Sequence, residues 1–512
     1  MTVHSTMHIE PNVDFFTTNY ENSQAQVVWT RLIADLETPV SAMLKLSKDT
    51  TNVFLLESVE GGAVRGRYSI IGLEPDIIWR AYANKAEINR DPQSQSDFQS
   101  CGSETLDSLR ELLAESAIEL PEKLPPMAAG VFGYMGYDTV RLIEKLPGAP
   151  SKGIGLPDAL FIRPSVMVIF DGVRDEICVV APIYPAENIS CQQAYNQAIE
   201  RITQVVAKLD NPLRHTNKDI AVGDVGEIKS NTSVEEYYAM VRRAKQYIEA
   251  GDIFQVVVSQ RFECPFSLPP FTLYRALRRV NPSPFLFFLD FDDFCVIGSS
   301  PEILVRAREG RITMRPIAGT RPRGQTPEED RENARSLLAD PKERAEHLML
   351  LDLGRNDVGR VAEIGTVEVT EQFFLEYYSH VMHIVSNVEG KIAIGHDSID
   401  ALAAGFPAGT VSGAPKVRAM EVIDELEIDK RGIYAGCVGY FSADGNMDTC
   451  IVLRTAVIKD GTMYVQAGAG IVADSQPDYE HAECVAKAKA LFRAADEALR
   501  FATTPARGQQ PT

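Results

Sequence analysis

The apolar residues of this chain come in short runs, and that pattern limits what the chain can fold into. Runs of strand length at residues 53–56, 166–170 and 177–181 alternate with turn residues. No run reaches the ~18 consecutive apolar residues that a membrane-spanning helix needs. Amphipathic patterns at residues 106–117 and 192–209 predict helices among these strands. The mixture predicts an α+β fold without a membrane-spanning segment.

A polar stretch divides the chain into two regions. Residues 211–230 contain proline and glycine and lack any period, which predicts a linker. Residues 25–210 and 231–500 are each long enough to bury a core of their own. Residues 501–512 are rich in small and polar side chains, and we expect them to form a disordered tail.

Charge and cysteine content exclude several classes of protein. The 512 residues include 51 Lys and Arg against 71 Asp and Glu, so the formal net charge is −20. That balance disfavours nucleic acid and anionic membranes as partners, because both attract basic surfaces. The eight cysteines are scattered without a C-x-x-C pair, and no basic, apolar leader opens the sequence. We expect free thiols and a cytoplasmic protein.

Two helical patterns carry acidic residues beside an apolar face. In residues 342–353 (KERAEHLMLLDL) Glu346 lies at the margin of such a face. In residues 479–492 (YEHAECVAKAKALF) Glu483 and Lys487 are four positions apart and share one face. Taken singly, each pattern is as typical of a solvated ion pair as of a binding site.

A strand with closely spaced glycines precedes the second acidic helix. Residues 463–473 (MYVQAGAGIVA) match the G-x-G-x-x-A pattern of dinucleotide sites, so an NAD enzyme is a competing interpretation. In such a site the helix begins at once, whereas residues 474–477 intervene here and the chain ends soon after the next helix. We therefore interpret the glycines as an anion-binding nest of backbone N–H groups.

Another segment of small residues resembles a phosphate-binding loop. Residues 405–416 (GFPAGTVSGAPK) depart from G-x-x-x-x-G-K-[ST], because Ala-Pro precedes the lysine and valine follows it. Nucleotide binding is therefore not expected. Thr410, beside a helix N-terminus, suits a carboxylate ligand instead.

The order of six blocks along the chain is far more specific than any one of them. The blocks are PIAGTRPRG (316–324), EHLMLLDLGRND (346–357), FPAGTVSGAPK (406–416), GIYAGCVGYF (432–441), TCIVLRTA (449–456) and QAGAGIVADS (466–475). Together they closely resemble the chorismate-utilising enzymes, and among these the large subunits of anthranilate synthases. The resemblance covers residues 235–492, and the N-terminal half matches the regulatory region of that family more loosely.

The resemblance implies a fold, a metal and a binding site. The fold is an α/β sandwich of two antiparallel sheets facing each other with helices outside, and an N-terminal regulatory region packs on the C-terminal chorismate-binding region. The metal is Mg²⁺ held by Glu346 and Glu483, which suits a hard cation. The residues implied to contact chorismate are Gly319, Thr320, Thr410, Tyr434, Arg454, Gly468, Ala469, Gly470 and Lys487.

Departures from related enzymes indicate which reaction the chain performs. Isochorismate and salicylate synthases resemble each other in a water-activating lysine where this chain has Gln255, which cannot act as a base. Many aminodeoxychorismate synthases carry a nucleophilic lysine where this chain has Ala318. Both differences favour amination of chorismate at C2 followed by loss of pyruvate, the first step of tryptophan biosynthesis. By resemblance, Glu302 protonates the leaving hydroxyl and His383 removes the C2 proton. Aminodeoxychorismate synthase is the alternative.

The resemblance also implies a partner and an inhibitor. None of the eight cysteines has the surroundings of a glutamine amidotransferase nucleophile, although Cys437 in AGCVG comes closest. We therefore expect a separate glutaminase subunit that supplies ammonia, and hence a hetero-oligomer.

The inhibitor implied is tryptophan. The residues that resemble the family's tryptophan-feedback site are Ser58, Pro284, Phe285 and Leu286. An ordinary contact between the two regions is the alternative for these residues, and a member of the family that only binds tryptophan is the alternative for the whole chain.

Overall fold

The computed structural model describes residues 7–48, 50–60, 64–94, 97–148, 150–213, 226–378 and 381–503. Most of the predicted linker, residues 214–225, lies outside them, as do residues 504–512 of the predicted tail. The last helix continues to Thr503 and so includes the start of that tail.

The helices form where the sequence supplies an amphipathic period and a cap. Those of the described residues are α1 Val13–Glu21, α2 Pro39–Leu46, α3 Thr105–Glu115, α4 Cys191–Asp210, α5 Val234–Glu249, α6 Pro270–Val280, α7 Pro327–Ala339, α8 Pro341–Gly359, α9 Ser398–Gly405, α10 Lys416–Leu426 and α11 Pro477–Thr503. Ser190 and Ser233 cap α4 and α5 in capping boxes with Gln193 and Glu236. The two helices predicted in the first region are α3 and α4.

The strands follow the short apolar runs. Those of the described residues are β1 Gln26–Ile33, β2 Val53–Glu60, β3 Val64–Tyr82, β4 Lys85–Asn89, β5 Gln99–Ser100, β6 Gly130–Met135, β7 Ala159–Asp171, β8 Glu176–Ile183, β9 Lys229–Ser230, β10 Gln255–Pro265, β11 Phe285–Asp290, β12 Phe294–Ser300, β13 Ile303–Arg308, β14 Arg311–Met314, β15 Ile317–Pro322, β16 Glu368–Tyr377, β17 Val381–Lys391, β18 Gly413–Ala414, β19 Cys437–Ser442, β20 Met447–Ile451, β21 Thr455–Lys459 and β22 Thr462–Ile471.

All of these strands belong to one connected, antiparallel network of hydrogen bonds. The two sequence regions share it, because β2 pairs with β11 and β6 pairs with β19. The predicted α+β class with a large antiparallel sheet is confirmed. The arrangement as two facing sheets stays a prediction.

The buried apolar side chains fill two large clusters and one small one. The largest joins the inward faces of α4, α5, α6 and α11 to the strands, and Tyr237 and Leu491 are fully buried in it. The second packs aromatic residues of both sequence regions together, among them Phe132 and Tyr440, whose ring centroids are 5.5 Å apart. The core therefore crosses the boundary between the regions. No helix of the described residues is both long and apolar enough to cross a membrane.

Two strand pairs and two helices position the residues singled out by the sequence. β10 lies antiparallel to β22, with Val258 opposite Ala469, and β15 lies antiparallel to β17, with Thr320 opposite His383. α8 packs on β15 and β17, whereas α11 packs on β22. The interpretation of the glycine segment as a nest was wrong: Gly468 and Gly470 lie within the extended strand β22. A nest requires alternating helical and left-handed residues, and pairing with β10 prevents that conformation.

Candidate active site

The two acidic helices bring Glu346 and Glu483 into electrostatic contact. The side chain of Asp340 caps α8 by accepting the backbone N–H groups of Lys342 and Glu343, and Glu346 follows on the next turn. Burial raises the pKa of Glu346, and the carboxylates of Glu343 and Glu483 raise it further. A concentration of negative charge on a half-buried surface is thus present before any ligand binds.

The oxygen donors in this place fit a magnesium ion. Among the described residues no group of three or more His, Cys, Asp and Glu side chains is arranged to hold a metal. Mg²⁺ does not need such a cage, since it keeps several waters and accepts one or two carboxylates together with oxygens of a substrate. The mutual repulsion of Glu346 and Glu483 is the feature that a divalent cation would relieve.

The glycines of β22 let polar side chains approach the face of the strand closely. A Cβ atom at Gly468 would lie 3.0 Å from the hydroxyl oxygen of Tyr434, and one at Gly470 would lie 2.7 Å from Nε2 of Gln255. Lys487 donates to the carbonyl oxygen of Gly468 at 3.0 Å, and its Nζ lies 2.7 Å from Oε1 of Glu483. The strand therefore provides backbone atoms and space that only small residues allow.

Arg454 supplies a cation without a protein partner in this region. Its guanidinium has no hydrogen-bond acceptor or ion-pair partner within the described part of the chain, although Tyr434 and Glu483 lie within electrostatic range. Burial lowers its pKa. Its backbone is left-handed, with φ of +49°, and Ser299 N–H donates to its carbonyl oxygen at 3.2 Å. A partly buried arginine without a partner is typical of a site for an anionic ligand.

His383 is held as a neutral base. Its Nδ1 lies 3.0 Å from the carbonyl oxygen of Gly319 and 3.0 Å from Oγ1 of Thr320. Because a carbonyl oxygen only accepts, Nδ1 carries the proton and Nε2 keeps a free electron pair. Burial lowers the pKa of His383, which favours the neutral ring.

A bulge sets the geometry around this histidine. The register of β15 against β17 shifts between Ala318 and Thr320, and Gly319 at the shift has φ of +77°. A Cβ atom there would lie 3.2 Å from Oε2 of Glu343. The bulge therefore joins the His383 strand to the acidic helix α8, and only glycine suits it.

Glu302 is a buried carboxyl with the properties of an acid. It is 7 % exposed, and burial raises its pKa to about 8. The hydroxyl of Thr410 lies 3.1 and 3.2 Å from its two carboxyl oxygens and opposes that rise. Tyr378 is near both groups. Its ring packs on His383 with centroids 5.3 Å apart. Burial raises the pKa of Tyr378, and the charges of Glu376 and Glu302 raise it further.

The structure also shows polar residues that the sequence interpretation missed. Glu343 adjoins Glu346 and pairs with Arg321 at 2.8 Å, and a buried ion pair joins Arg431 to Glu427 at 2.6 Å. Glu343 lies one helical turn before Glu346, a spacing that indicates a shared face. Arg431 directly precedes the block GIYAG, and its partner Glu427 is only four residues earlier, a spacing that could have indicated the pair. Its acceptors on Val257 and Val411 come from distant segments, and no local pattern reveals them.

The predicted tryptophan residues lie where the two sequence regions meet. Ser58 on β2 is opposite Phe285 on β11, and Leu286 is opposite Glu57. The Oγ atom of Ser58 packs closely on Gly66, since a Cβ atom there would approach it to 2.0 Å. Pro284 immediately precedes β11. All four residues are thus near one strand pair, separate from the acidic helices.

Comparison with known proteins identifies the family. The model of the chorismate binding enzyme family matches residues 65–493. The chain belongs to this family. Anthranilate synthase component 1 of Cereibacter sphaeroides is 57% identical over 494 residues, which are 96% of this chain and 99% of that protein. The same component of Pseudomonas aeruginosa is 47% identical over 467 residues, covering 90% and 94%.

Solved structures of chorismate binding enzymes share the fold. Anthranilate synthase component I from Streptococcus pneumoniae superposes with a TM-score of 0.74 at 37% identity, covering 83% of this chain and 92% of that one. The menaquinone-specific isochorismate synthase from Escherichia coli has a TM-score of 0.68 at 19% identity, covering 94% and 99%. The second likeness concerns the fold alone.

Proposed function

We propose that this chain is the large subunit of an anthranilate synthase, which aminates chorismate at C2 and then eliminates pyruvate to give anthranilate. The observation that carries the proposal is that a chain 57% identical to an anthranilate synthase component 1 has a buried carboxyl that keeps its proton near neutral pH, Glu302, and a histidine held in the neutral form, His383. One group that can donate a proton and one that can accept a proton suit two successive steps of proton transfer.

Substrate binding uses cations and small residues. Arg454 grips a carboxylate of chorismate, and Lys487 with the Gly468–Gly470 strand adds positive potential and room. Thr320, Gly319, Thr410 and Tyr434 complete the surroundings of the ring. Glu346 and Glu483 would hold Mg²⁺, on which enzymes of this family generally depend. That ion would neutralise carboxylate charge on the substrate and stabilise the charge that develops in the reaction.

In the first step ammonia attacks C2, the ring double bonds shift, and the C4–O bond breaks. Glu302 gives its proton to the departing hydroxyl, which leaves as water, and the nitrogen loses a proton. In the second step Nε2 of His383 takes the C2 proton while the bond from ring carbon C3 to the ether oxygen breaks. The enolate of pyruvate leaves and takes a proton from water on its methylene carbon, which gives pyruvate. Aromatisation of the ring drives this elimination. Gln255 replaces the water-activating lysine of related enzymes and instead hydrogen-bonds Glu346.

Ammonia comes from a separate glutaminase subunit, as the name component 1 of the relatives implies. We place the assembly in the cytoplasm, where thiols stay reduced, and the eight cysteines of this chain are all free. Tryptophan acts as an inhibitor at Ser58, Pro284, Phe285 and Leu286. The pairing of β2 with β11 brings these residues together and supports this placement. The same pairing supports a fold of two facing sheets in which the regulatory region packs on the catalytic region.

The test is an incubation of the purified chain with chorismate, Mg²⁺ and an ammonium salt. Anthranilate fluorescence together with one pyruvate per product supports the proposal. A product aminated at C4, without pyruvate release, would indicate aminodeoxychorismate synthase, and no turnover would indicate a protein that only binds tryptophan. Glutamine should not replace ammonium unless a glutaminase subunit is added, and glutamine use by the chain alone would contradict the separate partner.

A further inference from the structure

Arg431 lies in the short connection between α10 and β19, and its side chain is 1 % exposed. The guanidinium binds Glu427 through Nε at 3.0 Å and Nη2 at 2.6 Å. Nη2 also donates to the carbonyl oxygen of Val257 at 2.6 Å, and Nη1 donates to that of Val411 at 2.7 Å. One side chain therefore holds three separate segments of the chain together.

The charge of Arg431 is fully compensated. Oε1 of Glu427 accepts the backbone N–H of Ser259 at 2.8 Å and its hydroxyl at 2.9 Å, in addition to the guanidinium. A buried ion pair adds little stability compared with apolar side chains of similar size, so a gain in stability does not explain it. Its planar, forked set of donors instead fixes the positions of the groups it binds.

The bond to Val411 leads directly to the buried acid. Val411 ends the short 3₁₀ turn Gly409–Val411, and the middle residue of that turn, Thr410, donates to Glu302. The turn itself is three residues long. Immediately after it, the carbonyl oxygen of Ser412 accepts the N–H of Val257 on β10 at 2.9 Å. Arg431 thus holds both the turn and the strand beside it.

The base is held by different elements. Its contacts to Gly319 and Thr320 belong to the β15–β17 pair. Within the described part of the chain, the hydrogen bonds of Arg431 go to other segments and not to either of these strands. Movement of the 3₁₀ turn would therefore displace the hydroxyl at Glu302 while leaving His383 in place.

We infer that Arg431 is a positioning residue for the amination step, which fixes Thr410 against Glu302 through Val411 and takes no part in the elimination of pyruvate. This inference rests on the proposed function. Lysine cannot replace Arg431, because a single ammonium cannot bind Glu427 bidentately and reach both carbonyl oxygens.

The experiment measures the two steps separately in Arg431→Lys. Amination is followed from chorismate and ammonium, and elimination is followed from the aminated intermediate, which a His383→Asn enzyme should accumulate. We expect amination to slow at least ~10-fold, the scale of one misplaced hydrogen bond to a charged group, and elimination to stay within about 2-fold of the unaltered enzyme. If both steps slow equally, or if neither step slows, the assignment is overturned.

A double-mutant cycle tests whether the effect passes through Thr410. Thr410→Val and Arg431→Lys are combined, and the double variant should aminate no more slowly than the slower single variant. If the fold losses in amination rate of the two single variants multiply in the double variant, the effect of Arg431 does not pass through Thr410, which contradicts the inference. Glu427→Gln is the matched control, since it leaves the bonds to Val411 and Val257 available, and a loss as large as that of Arg431→Lys would also contradict it.

Folding and function are controlled within the same experiment. Thermal unfolding shows whether Arg431→Lys is folded, and if it is not, Arg431→Gln is judged by the same two rates. An unaltered chain that makes no anthranilate from chorismate and ammonium would refute the proposed function. An active chain whose variants slow both steps alike would refute the role of Arg431 alone.

Discussion

The pKa of Glu302 gives the sharpest prediction about the amination step. Burial raises that pKa to about 8, so the carboxyl keeps its proton below pH 8 and loses it above. An acid that must donate a proton can act only while it is protonated, so the rate of amination should fall as the pH rises through about 8. At pH 7 about nine-tenths of the molecules carry the proton, against under about 1% for an unburied glutamate.

Thr410→Val should shift the pH at which the rate of amination falls, the alkaline limb of the pH–rate profile, in a direction that the structure predicts. The Thr410 hydroxyl stabilises the ionised carboxylate, so its removal should raise the pKa of Glu302 and move the limb to higher pH. A hydrogen bond to a charged group is worth about 1.5–3 kcal/mol, and about 1.4 kcal/mol corresponds to one pH unit. The single hydroxyl proton is shared between two oxygens at 3.1 and 3.2 Å, so we expect the low end, about one pH unit.

The assay is the rate of amination between pH 6 and 10 at a fixed concentration of neutral ammonia, so that the protonation of the nucleophile does not enter. Thr410→Ser keeps the hydroxyl and serves as the control, with a limb expected where the unaltered enzyme has it. Glu302→Gln should remove the limb altogether. A limb that stays in place in Thr410→Val, or that persists in Glu302→Gln, would refute the assignment of the acid.

Other changes test the remaining parts of the site. His383→Asn keeps a donor to Gly319 but loses the base, so pyruvate release should fall about 10²–10⁴-fold while the aminated intermediate accumulates, as detected by chromatography. Glu483→Gln should weaken Mg²⁺ binding at least ~10-fold in calorimetry, with an unchanged circular dichroism spectrum. Ser58→Leu should abolish inhibition by tryptophan in the anthranilate assay, and unchanged inhibition would refute that placement. Arg454→Met should raise KM for chorismate about 10–100-fold and also raise Tm, because it removes a partly buried charge that has no ion-pair partner among the described residues.

Local patterns predicted the elements that carry the site. Both helices of the first region and α11 have an apolar face at the helical period, and that period survives in any packing arrangement. α8 differs, because its buried face includes His347, Gly354 and Asp357, whereas Leu348 is exposed. The apolar face predicted beside Glu346 is therefore only in part the face that α8 buries, although Glu346 itself is half-buried. Spacing within one helix is a property of the sequence, so it could be predicted.

Contacts between distant segments could not be predicted. The glycines of β22 were interpreted as a nest because nothing in the neighbouring sequence indicates that this segment pairs with β10, about 200 residues earlier in the chain. The pairing of β2 with β11 likewise joins the two regions across the predicted linker. The register of a strand depends on its partner, and the partner is unknown from a single segment.

Arg431 is buried and Arg454 is partly buried, and they differ in the partners of their charge. Arg431 is surrounded by acceptors and bound to Glu427, whereas Arg454 lacks an ion-pair partner among the described residues. Burying an uncompensated charge costs several kcal/mol, and a protein with a net charge of −20 has no shortage of carboxylates that could have offset it. We therefore expect an anionic ligand to bind at Arg454. Because the overall field repels such a ligand, its recognition must depend on these local cations.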